Sequence, residues 1–194
     1  MIRELGSGLS HSNHDLLWPR QGMEPKITVS TVVQNHEDVS LVERTVKLLF
    51  PDWDCKINLE EGEFPMEREA VNLSGSSQSL AVVMGHCTKN RILDTAFDAM
   101  TMNLKKNSTH FLLSRQAAYV GKVAFVVEEM PLGGIMEVRL QGENLGLWLE
   151  QQTWHEGRHA VPRSLGDELR MEQDGTPVEW FDNKGRKTIN LDQD

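Results

Sequence analysis

The run Ile135 to Gln141, IMEVRLQ, alternates strictly, with Met136, Val138 and Leu140 on one side and Glu137, Arg139 and Gln141 on the other. Successive side chains of a strand point to opposite faces, so this run is a strand with one dry face and one wet face. Strands buried on both faces are continuously apolar; a wet face therefore points to an antiparallel sheet. The expected fold class is α+β, an antiparallel sheet with helices packed on its dry face.

The rest of the chain supplies partners for that strand. Lys26 to Asn35 alternates Ile27, Val29, Thr31 and Val33 and predicts a first strand. A helix follows, with Asp38 as N-cap and Val39, Val42, Val46 and Leu49 at helical spacing, closed by Phe50-Pro51. Cys55 to Leu59 and Glu69 to Leu73 are further strand candidates. Ser74 to Ser79 is expected to be a turn, and the apolar run Leu80 to Met84 a short helix or a strand, with helix the preferred reading. The clearest helix is Asn90 to Leu104, with Lys105 and Lys106 complementing the negative end of its dipole and Asn107 as C-cap. Asn144 to Gln151 predicts a short helix burying Leu145, Leu147, Trp148 and Leu149. Residues 1–25, polar and interrupted by Pro19 and Pro25, are expected to be a disordered extension, with Met23 an alternative start. Residues 26–153 are expected to form the core domain, and residues 154–194 an extension with a small three-stranded β meander beginning at Leu169.

Charge restricts function. A net charge of -9 argues against general nucleic-acid binding. It is unevenly spread: residues 37–84 hold ten acids and four bases and residues 142–194 eleven acids and six bases, whereas residues 86–127 hold six bases and two acids. The basic region contains the elbow Ser108 to Val127, in which the strand-like runs Phe111 to Leu113 and Val123 to Val127 flank Ser114-Arg115-Gln116. Ala117, Ala118 and Gly121 permit close approach there, and Gly121 can supply a left-handed dihedral. Guanidinium groups fork onto phosphates and rings stack on bases, so Arg115, Tyr119 and Lys122 can form a phosphate-and-base platform, joined by Arg91, Lys105 and Lys106. Against this stand ordinary roles: a solvated basic face, and half-buried packing for Tyr119.

The segments RILDTA (Arg91 to Ala96), FLLSRQAAYVGKVAF (Phe111 to Phe125), PLGGIMEVRL (Pro131 to Leu140) and LGLWLEQQT (Leu145 to Thr153) resemble, in order and spacing, an archaeal group, uncharacterised protein family 0201. The resemblance spans residues 26 to 153, and QAAYVG is its most specific motif. Here Ser114-Arg115 stands where Asn-Lys is usual, and both ends carry long tails. The resemblance implies a fold similar to ribosomal protein L-five, a distant relation to predicted archaeal exosome-associated proteins and a cytoplasmic location. It brings no activity with it; RNA or ribonucleoprotein association is implied by structural analogy alone.

An enzymatic alternative rests on His155-Glu156-Gly157-Arg158-His159, which satisfies H-E-x-x-H. That motif needs a helix to hold two histidines on one metal. Gly157, the charged Arg158 at a position that should pack inward, and Pro162 argue against one, so neither a metal nor a catalytic residue is assigned. The carboxylates from Glu60 to Glu69 lack the spacing of a calcium loop and are expected to be solvated. Cys55 and Cys87 are expected to be buried thiols. No apolar run approaches a membrane span, no secretory signal is evident, and no cofactor is implied. Two function classes remain: a non-catalytic RNA-associated module, or a protein-interaction or self-associating module such as a homodimer.

Overall fold

The computed structural model describes residues 24–56, 69–127, 130–160 and 165. In chain order its elements are β1 (Lys26–Val33), α1 (Val39–Leu49), β2 (Val71–Ser77), α2 (Ala81–Asn90), α3 (Leu93–Thr101), β3 (Ser108–Ser114), α4 (Arg115–Tyr119), β4 (Phe125–Val126), β5 (Ile135–Gln141) and α5 (Leu145–Gln152), followed by a 3-10 turn, Glu156–His159. The described strands form one antiparallel sheet in the order β2-β1-β5-β3-β4. The α+β class and the antiparallel sheet expected from the alternation are therefore present.

Strand β5, which carries the alternation, lies at the centre. Ile27 pairs with Leu140 and Leu140 with Thr109; Val29 pairs with Val138 and Val138 with Phe111. These rows share the dry face, where Val29, Leu113, Met136 and Val138 are fully buried with Phe97 and Met100 of α3 and Leu149 of α5. Fully burying such a side chain stabilises by about 1.5–3 kcal/mol, so this face holds the sheet and helices together. Asp38 caps α1 as expected, its Oδ1 accepting from the N–H groups of Ser40 and Leu41 at 2.8 and 3.1 Å.

Several local expectations are corrected. The predicted turn Ser74 to Ser79 is mostly strand: β2 runs to Ser77, pairing Ser77 with Ile27. Its small residues serve an edge where Asp54 and Ser76 exchange backbone hydrogen bonds of 2.9 and 3.2 Å. A Cβ on Gly75 would collide with the Asp54 carbonyl, so the residue that suggests a turn is instead required for close approach. Cys55 and Lys56 are not in a strand, and residues 57–68 lie outside the described residues.

The predicted single helix Asn90 to Leu104 divides. Helix α2 runs on to Asn90, Arg91 takes a left-handed conformation with φ 58°, and Ile92 N–H returns to the Cys87 carbonyl at 2.9 Å, closing α2 before α3 begins. The C-cap of α3 is Met102, not Asn107. Lys105 and Lys106 therefore leave the last helical turn and enter a tight turn in which Lys105 and Ser108 exchange two 2.7 Å backbone bonds. The elbow folds partly as α4, with Ser114 Oγ accepting from Ala117 N–H, and only Phe125–Val126 returns as strand. Gly121 has φ 70°, as its dihedral role requires, but nothing lies within 4 Å of a Cβ there; freedom of angle, not close approach, explains it. Leu147 is half exposed rather than buried. Cys87 is buried, which pushes its thiol up to about 11, and Cys55 is half-buried. The expected N-terminal extension, apart from Glu24 and Pro25, and the expected C-terminal meander lie outside the described residues.

Candidate functional site

The six residues singled out by sequence are spread across the molecule. Arg115 lies at the β3–α4 junction, and Tyr119 and Lys122 come next on the same elbow; Lys105 and Lys106 lie at the opposite end of β3. Seven strand residues, about 20 Å, separate the two ends. Arg91 stands apart in the helical layer, at the junction of α2 and α3. The platform joining all of them is not formed.

Arg115 is 4% exposed. Its Nε donates to the Gly133 carbonyl at 2.8 Å, Nη1 to the Val32 carbonyl at 3.0 Å, and Nη2 to Glu37 Oε1 at 2.6 Å. One planar fork thereby ties together the end of β1, the approach to α1 and the turn before β5. Gly134, at φ 78°, leaves no room for a side chain, because a Cβ would overlap the guanidinium; its carbonyl accepts from Arg115 N–H at 3.1 Å. The segments containing Ser114-Arg115 and Gly133-Gly134 are thus two halves of one structural contact. Neither the phosphate platform nor the solvated basic face describes Arg115: its hydrogen bonds are satisfied inside the protein. Tyr119 is also corrected, from half-buried packing to 55% exposed. With Leu41, Val42, Thr45, Gln116 and Leu132 it lines an open cleft of about 250 Å³ above the Arg115–Glu37 pair.

At the other end the pairing register gathers cations that are distant in sequence. Lys26 pairs with Gln141, which pairs with Ser108; in the next row Thr28 pairs with Arg139 and Arg139 with His110. All six alternate onto the wet face together, with strands about 4.8 Å apart. The Lys105–Ser108 turn adds Lys105 and Lys106 at the margin. Lys26, Lys105, Lys106, His110 and Arg139 are all exposed. Arg139 shares its charge with Glu137 at 2.8 Å, and exposed Glu24 and Glu143 border the group, so the surface is basic but not uniformly so. Lys26, His110 and Arg139 are not among the residues that sequence reasoning singles out. The alternation places Arg139 on the wet face; what it lacks is the register that sets Lys26 and His110 beside it.

The H-E-x-x-H segment folds as a clasp. His155 is extended, with φ -152°, and its Nε2 lies 3.1 Å from Asp94 Oδ2; His159 meets the Trp154 ring edge-on at 5.6 Å. Arg158 does pack inward despite its charge, over the Phe97 ring at 4.8 Å and 3.2 Å from Asp94 Oδ1. Burial pushes the Asp94 carboxyl up, but hydrogen bonds and charge from His155 and Arg158 outweigh it and lower it below the usual value. The two histidines face different partners, and no group of three or more metal-ligating side chains occurs among the described residues. No helix among these residues is long and apolar enough to cross a membrane.

No family model matches the chain. It is 36% identical over 112 residues to a UPF0201 protein of Sulfurisphaera tokodaii, covering 57% of this chain and 74% of that protein. To a UPF0201 protein of Methanothermobacter thermautotrophicus it is 29% identical over 145 residues, covering 73% and 98%. Among solved structures it is similar to a UPF0201 protein from Methanococcus jannaschii, with TM-score 0.52, 23% identity, and coverage of 66% of this chain and 99% of that one. A second crystal structure of a UPF0201 protein gives TM-score 0.53 at 22% identity, covering 64% and 90%. At these identities the structures speak for the fold alone.

Proposed function

We propose that this chain, which belongs to the UPF0201 family, is a non-catalytic, RNA-associated protein of the cytoplasm that holds the phosphate backbone at the basic end of its open sheet face. The observation that carries this reading is the register: three strands and one turn bring Lys26, Lys105, Lys106, His110 and Arg139 onto one exposed surface. Exposed ammonium and guanidinium groups gain from phosphate by releasing its counterions, an attraction that depends on salt and not on base sequence. The wet face carries no aromatic side chain of Phe, Tyr or Trp from β1, β3 or β5 for stacking bases, which favours backbone contact over base readout. Of the cations picked from sequence, Lys105 and Lys106 belong to this surface, Lys122 and Arg91 are outside it, and Arg115 is withdrawn from it by its internal partners.

Anisotropy titration of the full chain with single-stranded and structured RNA at two salt concentrations tests the reading. Binding that weakens with salt and falls at least about tenfold when Lys26, Lys105, Lys106 and Arg139 are all changed to Ala is the expected result. Salt-independent binding, or none, contradicts it.

A second reading, a protein-docking module, is favoured by the cleft at the other end, where Leu41, Tyr119 and Leu132 are 37%, 55% and 88% exposed. It predicts that Leu132→Asp changes the protein's association while leaving RNA binding unchanged.

A further inference from the structure

Leu165 lies against the first turn of α5: a Cβ on Gly146 would stand 2.8 Å from Leu165 Cδ1 and 3.4 Å from Leu104 Cδ2. Leu104 immediately precedes Lys105 and Lys106. The chain thus leaves the described fold beside the basic end, with residues 166–194 still to come. The first part of that remainder is acidic: Asp167, Glu168, Glu172, Asp174, Glu179 and Asp182 stand against Arg170 alone up to residue 182.

We propose that the acidic stretch 167–182 docks in cis on the basic end of the sheet, its carboxylates occupying positions around Lys26, Lys105, Lys106 and Arg139 that a polyanion would otherwise take. Reach is sufficient. At about 3.3 Å per extended residue, Glu172 can lie some 23 Å from Leu165, whereas the Lys26, Gln141 and Ser108 row spans two strand spacings, about 10 Å. Tethering supplies what weak exposed ion pairs lack, since a segment anchored beside its target meets it at an effective concentration on the order of millimolar. Opposite charge within a Debye length, about 8 Å at physiological salt, then favours occupancy that is easily displaced. The fold consequently contains its own competitor for phosphate, one that sets a threshold for binding. The competitive part of this inference rests on the RNA reading above; the docking part does not.

Zero-length carbodiimide cross-linking of the full chain, analysed by peptide mass spectrometry at low and high salt, tests the docking. Cross-links from acids of 167–182 to Lys26, Lys105 or Lys106 at low salt, lost at high salt, are expected; their absence at low salt overturns the inference. The full-length variant D167N/E168Q/E172Q/D174N then tests competition. Its affinity for a short oligouridylate at low salt should rise about three- to tenfold over the parent, the gain disappearing at high salt. Unchanged or weakened affinity overturns the competitor role. If cross-links form but neither chain binds oligouridylate, docking stands and the RNA reading falls. If oligouridylate binds and no cross-links form, the reverse holds.

Discussion

The two ends of the β3 strand use positive charge in opposite ways. At the Ser114 end Arg115 is buried, and its guanidinium is hydrogen-bonded to two carbonyls and a carboxylate. At the Ser108 end Lys26, Lys105, Lys106 and Arg139 remain in water, with Arg139 66% exposed on its side chain. A charge removed from water must be fully paired and then becomes structural, whereas a charge left in water contributes little to stability and stays available to a ligand. Location, more than residue type, decides which cations could serve function.

That contrast can be broken by substitution. The largest effect is expected for Arg115→Ala, which strands Glu37 and the Val32 and Gly133 carbonyls; a loss of about 3 kcal/mol in denaturant unfolding is expected, and a loss below about 1 kcal/mol would return Arg115 to the surface class. Ala118 is fully buried, so Ala118→Leu should cost about 1–3 kcal/mol through overpacking, measured by thermal melting. Arg115→Lys keeps the charge but loses the fork, and an intermediate cost of about 1–2 kcal/mol would sharpen the argument that geometry is what matters there.

A third charged group, the Asp94 clasp, lies at the start of α3 in the helical layer. Its carboxyl is held below its ordinary value in the fold, so its contribution to stability is present above the unfolded carboxylate pKa and is lost as pH falls through the lowered folded value. Asp94 is partly exposed, so Asp94→Asn should cost no more than about 1 kcal/mol at neutral pH. The gap between parent and variant should start to close only as pH falls below the ordinary carboxylate value, about 3.9, and should vanish below the lowered folded value; a gap that persists undiminished through that range would rule out this linkage.

How much of this the sequence discloses depends on the range of each interaction. Strand β5 and helix α1 are legible because alternation, helical spacing and the Asp38 cap are local patterns. Strand β2 is not, because Ser74 to Ser77 carry a turn's composition and are held in a strand by Ile27, Asp54 and other distant partners. The break at Arg91 is hidden for a different reason: a left-handed non-glycine is stabilised by backbone bonds to Cys87 and Thr88, which leave no compositional mark. For the site, cations close in sequence do not share an environment: Arg115 is buried, whereas Lys122 on the same elbow is exposed. Charged residues are usually exposed, which is why Arg115 reads as a surface cation, but its partners, Val32, Glu37 and Gly133, lie 83, 78 and 18 residues away. Lys26, His110 and Arg139 are likewise far apart in sequence and meet only through register.

The smallest expected change in stability, and the most direct test of the division between the two ends, comes from Lys105→Ala with Lys106→Ala compared with Arg91→Ala with Lys122→Ala. Both double variants should unfold within about 0.5 kcal/mol of the parent. The dependence of RNA affinity on salt should separate them: the first pair should lower the log–log slope by about one and a half to two, and the second should leave it unchanged. Equal slopes for the two variants, or a greater loss for Arg91 and Lys122, would contradict the assignment of phosphate binding to the basic end.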